Sequence, residues 1–248
     1  MAINKFSIIA HRNHEICNPI SQEKLRATLD HIPFSSGEKV LDIGAGKCGV
    51  LIDLIERHGV VGTAIEIEAD FIDAARNYAD QRIGPGRLRI VNDDAKKVMN
   101  DIDGVFDAVI CLGATHALGN YRLTLEKMSE VVKPGGYLLV GEGYWKKEPE
   151  AAYLEALGAT KEELLTHHAN IEAGVDLGLI PMWAHVTSED EWDAYEWLYS
   201  SSMEKYCLEN PDDPDVAAMR DRIRKWRSTY LRWGRDTLGF GLYLFYKS

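Results

Sequence analysis

Lys39-Val40-Leu41-Asp42-Ile43-Gly44-Ala45-Gly46-Lys47-Cys48-Gly49 is a short apolar run that breaks into glycines and then into Val50-Leu51-Ile52-Asp53-Leu54-Ile55, where apolar residues recur at helical spacing. The run reads as a strand and the continuation as a helix. Gly44, Gly46 and Gly49 satisfy G-x-G-x-x-G, in which the missing Cβ atoms permit a tight turn and close approach of a ligand to the backbone. Strand, glycine turn and helix in that order open a parallel sheet, in which the turn either receives a ligand at the carboxyl edge or merely reverses the chain.

The same alternation extends outward. Residues 60–66, 88–91, 106–112 and 137–142 read as further strands, and the last follows Lys133-Pro134-Gly135-Gly136, whose proline stops a helix and whose glycines turn the chain. Between them, Leu51, Leu54 and Ile55, then Phe71, Ile72, Ala75 and Tyr78, mark helices with one apolar face. The strands are almost continuously apolar, as a sheet covered on both faces requires.

Beyond Gly143 lie all six tryptophans. Ser188 with Glu191 three residues later is a capping box opening a helix that carries Trp192, Tyr195, Tyr199, Met203 and Tyr206. A second long helix begins near Asp213-Pro214, with Val216, Met219, Ile223, Trp226 and Tyr230 on one face and arginines on the other. Residues 240–246 read as a final strand and 179–186 as another. The expected fold is α/β: a Rossmann-like, doubly wound, mostly parallel seven-stranded sheet with an antiparallel C-terminal strand and a helical cap.

Composition narrows the function. The 248 residues are 46% hydrophobic and 27% charged, with 39 acidic and 28 basic residues for a net charge of −11. That field repels polyanions, so nucleic acid is a poor partner. No apolar run approaches the roughly 20 residues that span a bilayer, so no membrane association is expected. Cys17, Cys48, Cys111 and Cys207 are far apart, and Met1-Ala2-Ile3-Asn4-Lys5 opens no export signal. Reduced thiols in the cytoplasm are the expectation.

Glu66, 20 residues after Gly46, is placed to bind ribose hydroxyls and argues for an adenosine-containing ligand. Asp42 at the strand tip favours a cationic ligand and repels a pyrophosphate. Asp94, after the third strand, is placed to accept a hydrogen bond from an adenine amine. A nicotinamide dinucleotide explains the glycines but neither the Lys-Pro-Gly-Gly turn nor the final aromatic strand.

On these residues the chain resembles class I S-adenosylmethionine-dependent methyltransferases over residues 37–145. It looks most like small bacterial members in which the fifth strand ends Gly-Glu-(Pro or Gly)-Tyr-Trp, here Gly141-Glu142-Gly143-Tyr144-Trp145. The resemblance implies that Asp42, Gly44 and Gly46 shape the methionine side of an S-adenosyl-L-methionine pocket. It also implies that Glu66 takes the ribose, Ile67 packs on adenine, Asp94 with Ala95 binds its edge, and Leu112 borders the methionine moiety. Such enzymes commonly carry glycine where Cys48 stands, with Gly49 as the available compensation. One domain is expected: an N-terminal lid over 1–36, a cofactor core over 37–145, acceptor-side helices and a strand over 146–235, and the terminal strand over 236–248.

Methyl transfer from a sulfonium is an in-line displacement that needs an aligned nucleophile and exclusion of water. His116, just past the fourth strand, is the expected base or acceptor-orienting group, with helix capping or packing as the alternative. Tyr144 and Trp145 are expected to pack an apolar or cationic acceptor, or else the core. His14 and Asn18 are expected pocket residues. His11, His14 and Cys17 have helical spacing that suits metal ligands but lack a fourth, so no metal is expected. Arsenite methylation through Cys17, Cys48 and Cys111 is a minor alternative to their burial as small core residues. Arg220, Arg222, Arg224, Lys225, Arg227 and Arg232 read as a solvated face or as a clamp for an anionic acceptor. Residues 112–115, Leu-Gly-Ala-Thr, lack the Pro-Pro motif of related enzymes that methylate nucleic-acid amines. The expected acceptor is a small molecule; the alternative function is a cofactor-binding protein with a regulatory or non-methyl-transfer role.

Overall fold

The computed structural model of the chain describes residues 3–102 and 104–248, Ile3 and Asn4 by backbone alone. Met1 and Ala2, on which the export-signal reading partly rests, lie outside the described residues. The strands are β1 (Lys39–Ile43), β2 (Val61–Glu66), β3 (Leu88–Asn92), β4 (Phe106–Leu112), β5 (Val132–Trp145), β6 (Ile180–Val186) and β7 (Leu238–Tyr246). They form one sheet in the order β3-β2-β1-β4-β5-β7-β6. β1 to β5 are mutually parallel, and β7 runs antiparallel to both β5 and β6. The strand order reverses between β1 and β4, and in such sheets a ligand crevice opens at that point.

The helices are α1 (Ile3–His11), α2 (Gln22–Leu29), α3 (Gly49–His58), α4 (Ala69–Arg82), α5 (Ala95–Asp101), α6 (Tyr121–Val131), α7 (Ala151–Leu157), α8 (His167–Val175), α9 (Glu189–Glu209) and α10 (Val216–Thr229). Alternate residues of the same strands feed two cores. Leu41, Val109, Leu138 and Tyr243 pack with α6 and α8 on one face, while Val40, Ala108, Leu139 and Leu244 pack with α2 and α3 on the other. This two-sided burial is why the strands read as apolar runs rather than alternating ones.

Val132 pairs with Phe106 and Tyr137 with Ala108, so Lys133-Pro134-Gly135-Gly136 bulges out of the ladder, with Gly135 at φ +81°. The expected turn is thus contained within β5 rather than preceding it. A third, smaller core lies off the sheet, where Phe6 and Ala10 of α1 meet Met203 and Cys207 of α9 and Val216, Met219 and Ile223 of α10. The capping box at Ser188 and Glu191 is formed as read: the Ser188 side chain accepts from Glu191 N, and Glu191 accepts from Ser188 N. No helix among the described residues is long and apolar enough to cross a membrane.

Candidate active site

The turn after β1 folds back on β2, with Gly44 N and Ala45 N both donating to the Ile65 carbonyl at 2.9 and 3.1 Å. Glu66 clamps it. Its Oε2 accepts from Gly46 N at 2.7 Å, and its Oε1 accepts from Ile67 N and Glu68 N at 2.8 and 2.9 Å. Gly44 has φ +68°, and a Cβ there would lie 2.4 Å from the Ala114 Cβ, so the turns after β1 and β4 touch. Cys48 has φ +57° at the start of α3, the one non-glycine residue with positive φ among the described residues. That explains the glycine of similar enzymes at this position, because the backbone there is left-handed at a cost of roughly 1–2 kcal/mol for a side chain with Cβ. Gly49 does not compensate. A Cβ on it would lie 2.9 Å from the Glu15 carbonyl oxygen, so its smallness admits the N-terminal segment instead.

Asp42, Gly44, Gly46, Glu66 and Leu112 line one cavity of about 130 Å³ with Phe71, Lys47 and the Glu15–Asn18 segment. Asp42 is buried, and its carboxyl is pushed up to about 7 by burial first and by the Glu66 charge second. Ile67, Asp94 and Ala95 are not walls of this cavity; they stand at the ends of β2 and β3, beyond Glu66. Ile67 is an apolar side chain left 58% exposed there. Asp94 caps α5, its Oδ1 accepting from Lys96 N and Lys97 N at 2.8 and 3.3 Å, and Ala95 is buried behind it. Lys47 reaches out of the turn to the end of α1, where its Nζ donates to the carbonyls of His11, Arg12 and His14 at 2.8, 3.0 and 2.9 Å.

A second cavity of about 290 Å³ shares Cys17, Asn18 and Gly113 with the first. Asn18 stands at the junction: its Nδ2 donates to the Leu112 carbonyl at 3.2 Å, and a Cβ on Gly113 would lie 2.1 Å from its Oδ1. The walls are Trp192 and Tyr195 of α9, Trp226 of α10, Tyr230, Tyr153 of α7 and Phe240 of β7. Tyr230 opens a π-turn over Tyr230–Gly234, a local widening that often accompanies functional sites. Two carboxyls join the aromatics. Glu142, at the end of β5, accepts from Thr115 Oγ1 and from Gly143 N at 2.8 Å. Glu196 accepts from the indoles of Trp192 at 3.2 Å and Trp226 at 2.6 Å. Burial raises both above the usual carboxylate range.

Several expected residues fall elsewhere. His116 is exposed in a short 3₁₀ turn, Thr115–Ala117, and lines neither cavity; it acts on Glu142 only as a neighbouring charge. His14 is buried beside Tyr195, with Nε2 3.1 Å from the Tyr195 carbonyl, and lines neither cavity but an adjoining groove that shares Asn18 and Tyr195 with the second. Tyr144 packs over Gly239 and beside His167. Trp145 donates from Nε1 to the Lys161 carbonyl at 2.8 Å. Both aromatics are core residues, because the sheet register carries them past the cleft. The tryptophans that do line it sit on helices, at positions set by the capping box and the apolar stripe. Glu142 lies within the Gly-Glu-Gly-Tyr-Trp stretch, of which only the aromatics are expected in the pocket, and Glu196 has no signature beyond standing four residues after a tryptophan.

The arginines of α10 are engaged within the fold: Arg222 lies 4.1 Å over the Phe6 ring, and Arg224 and Arg227 reach Glu204 at 3.4 and 3.3 Å. They are not walls of either cavity. The four cysteines are free, and burial pushes the Cys17 thiol up to about 11. Among the described residues no group of three or more His, Cys, Asp or Glu is placed to hold a metal ion.

Residues 40–136 match the family model described as "Methyltransferase domain". The protein YjhP of Escherichia coli K12 is 29% identical over 247 residues, 98% of each chain. A methyltransferase from Geobacter sulfurreducens, solved in complex with S-adenosyl-L-homocysteine, superposes with TM-score 0.91 at 26% identity over 98% of each chain. One from Thiobacillus denitrificans, solved with the same ligand, gives 0.90 at 27% identity over 100% of both.

Proposed function

We propose that this chain, an S-adenosylmethionine-dependent methyltransferase, transfers the methyl group to a small molecule held in the aromatic cavity. The observation that carries this reading is that the two cavities share Cys17, Asn18 and Gly113 as walls, which sets an acceptor next to the cofactor.

The residues of the first cavity suit the cofactor. An Asp42 carboxyl raised by burial and by a neighbouring negative charge is returned to its ionised form by a cation such as a sulfonium. A carboxylate offers about four lone-pair sites, and three backbone N–H groups occupy Glu66, which leaves one for a ribose hydroxyl. The exposed Ile67 offers a face to adenine, and Asp94 with Ala95 its edge. Leu112 and Gly44 border the methionine side, and Gly46 leaves open space over the backbone. When bound, the cofactor supplies an electrophilic methyl carbon on a positively charged sulfur.

On the acceptor side, Asn18 orients the junction and Glu142 is the group placed to take a proton. The Cys17–Pro19 segment and the helices that wall the cavity would exclude water, which strengthens each polar contact inside. His116 tunes Glu142 from the surface. Nucleic acid is set aside by the net charge of −11, and the free thiols favour a cytoplasmic setting.

Calorimetric titration with S-adenosyl-L-methionine tests the first step, and mass spectrometry of a cell extract incubated with methyl-labelled cofactor tests the second. The expected result is saturable binding and a labelled small product. Absence of binding refutes the reading, whereas tight binding with no labelled product turns it toward the regulatory alternative.

A further inference from the structure

The walls of the acceptor cavity carry two carboxyls and no lysine, arginine or histidine. An anionic acceptor would therefore meet two buried acids with nothing to offset them, at a cost of several kcal/mol per unpaired charge in a desolvated site. A neutral hydroxyl would leave the acids as they are. A cation would convert both into favourable partners.

The aromatic walls point the same way. Glu196 is 7% exposed, and its two oxygens each accept an indole N–H, one from Trp192 on its own helix and one from Trp226 on the next. The carboxylate thus holds two indole rings at the cavity wall, where their faces attract a positive charge. Glu142 lines the same cavity, as does Gly113 of the junction with the cofactor cavity, and its Oε1 accepts from Gly143 N.

We propose that the acceptor is an amine that enters as its cation between Glu142 and the Trp192–Glu196–Trp226 wall, making this enzyme an N-methyltransferase. The proposal rests on the methyl-transfer reading above and names its substrate class. In the reaction, the ammonium gives one proton to the Glu142 carboxylate, which frees the nitrogen lone pair. The nitrogen forms its bond to the methyl carbon as the carbon–sulfur bond breaks, and that electron pair stays on sulfur, which becomes a neutral thioether. The product leaves as a methylammonium ion, and Glu142 returns its proton to solvent. An amine that has gained a methyl remains a cation and still suits the aromatic wall, so successive methylation is compatible with the same cavity.

The test uses the full-length protein saturated with S-adenosyl-L-homocysteine, whose binding is first established by calorimetry. Benzylamine, benzyl alcohol and benzoate, matched in size and different in charge, are then titrated at pH 7 with tryptophan fluorescence as the readout. Benzylamine is expected to bind at least tenfold more tightly than benzyl alcohol, with benzoate weakest. Glu196→Gln and, separately, Glu142→Gln are expected to bring amine and alcohol affinities within about twofold of each other. Equal or tighter binding of the alcohol or the acid, or no saturable signal from the amine, overturns the proposal. If the homocysteine derivative itself fails to bind, the methyltransferase reading falls instead. As an independent arm, the labelled product from a cell extract is expected to be retained on a cation exchanger at neutral pH; a product that flows through overturns the amine assignment.

Discussion

Gly44 and Gly46 are both in the left-handed region, yet their surroundings differ. A Cβ on Gly44 meets Ala114 at 2.4 Å, whereas one on Gly46 meets nothing within 4 Å. Gly44→Ala is therefore expected to lower the melting temperature of the ligand-free protein and abolish cofactor binding together. Gly46→Ala is expected to cost only the roughly 1–2 kcal/mol of backbone strain while still weakening the cofactor at least tenfold, because its methyl enters the open space. Differential scanning calorimetry and titration of the two variants separate these outcomes. Asp42 adds a pH signature. With its pKa raised from 3.8 to about 7, the ligand-free protein holds a proton that the unfolded chain has lost, so Asp42 costs stability as pH rises from about 4 to about 7. Cofactor binding is expected to release that proton and to tighten as pH rises toward about 7, measurable by calorimetry in buffers of different ionisation heat. Asp42→Asn removes the effect. At the reaction centre, Glu142→Gln is expected to lower turnover by about 10²-fold or more, the usual scale for a lost base, and His116→Ala by less than about threefold. The proposed cofactor residues are legible because short-range chain geometry places them: Asp42, Gly44 and Gly46 share one turn, and Glu66 ends the next strand. The proposed base is not, because a histidine after β4 and a glutamate at the end of β5 are told apart only by which one lines the cavity.

Among the elements, α9 holds the acceptor side to the sheet. Glu191 closes its capping box and also binds Lys24 of α2 and the Ser21 backbone N–H, the latter at 3.0 Å. Burial pushes its carboxyl up, but Lys24, Ser21 and Ser188 outweigh that and hold it at about 2. A depressed carboxyl stabilises the fold above its unfolded pKa of 4.5 and loses that contribution as pH falls toward about 2. Glu191→Gln is expected to flatten the stability-versus-pH curve in that window, as followed by denaturant unfolding, and to loosen α2 against α9. The box itself was visible in Ser188 and Glu191. Its second duty was not, because Lys24 lies 167 positions away and nothing local announces the pairing.

At the scale of the whole molecule, the chain divides its apolar residues among two sheet cores and a helical one, and the aromatic cavity lies where the helical cap meets the sheet edge. Its walls span Cys17 to Phe240, so no local pattern reveals them; only the strand order that brings β7 beside β5 does so. β6, the outer strand on that side, exposes Met182 and Trp183, while Pro181 and the register shift between Pro181 and Trp183 interrupt the edge that another strand would use. Pro181→Val is expected to restore a pairing edge and promote self-association, detectable by sedimentation velocity.

The three hydrogen bonds from Lys47 to the end of α1 have a consequence for the order of events. Cys17 and Asn18, just beyond that anchor, wall both cavities, so one short strap covers the donor and the acceptor alike. Binding is therefore expected to be ordered, with the cofactor entering before the acceptor and the spent thioether departing last. Steady-state kinetics should record this as S-adenosyl-L-homocysteine competing with the cofactor but not with the acceptor. Lys47→Met, which frees the strap, should speed release of the thioether and erase the order.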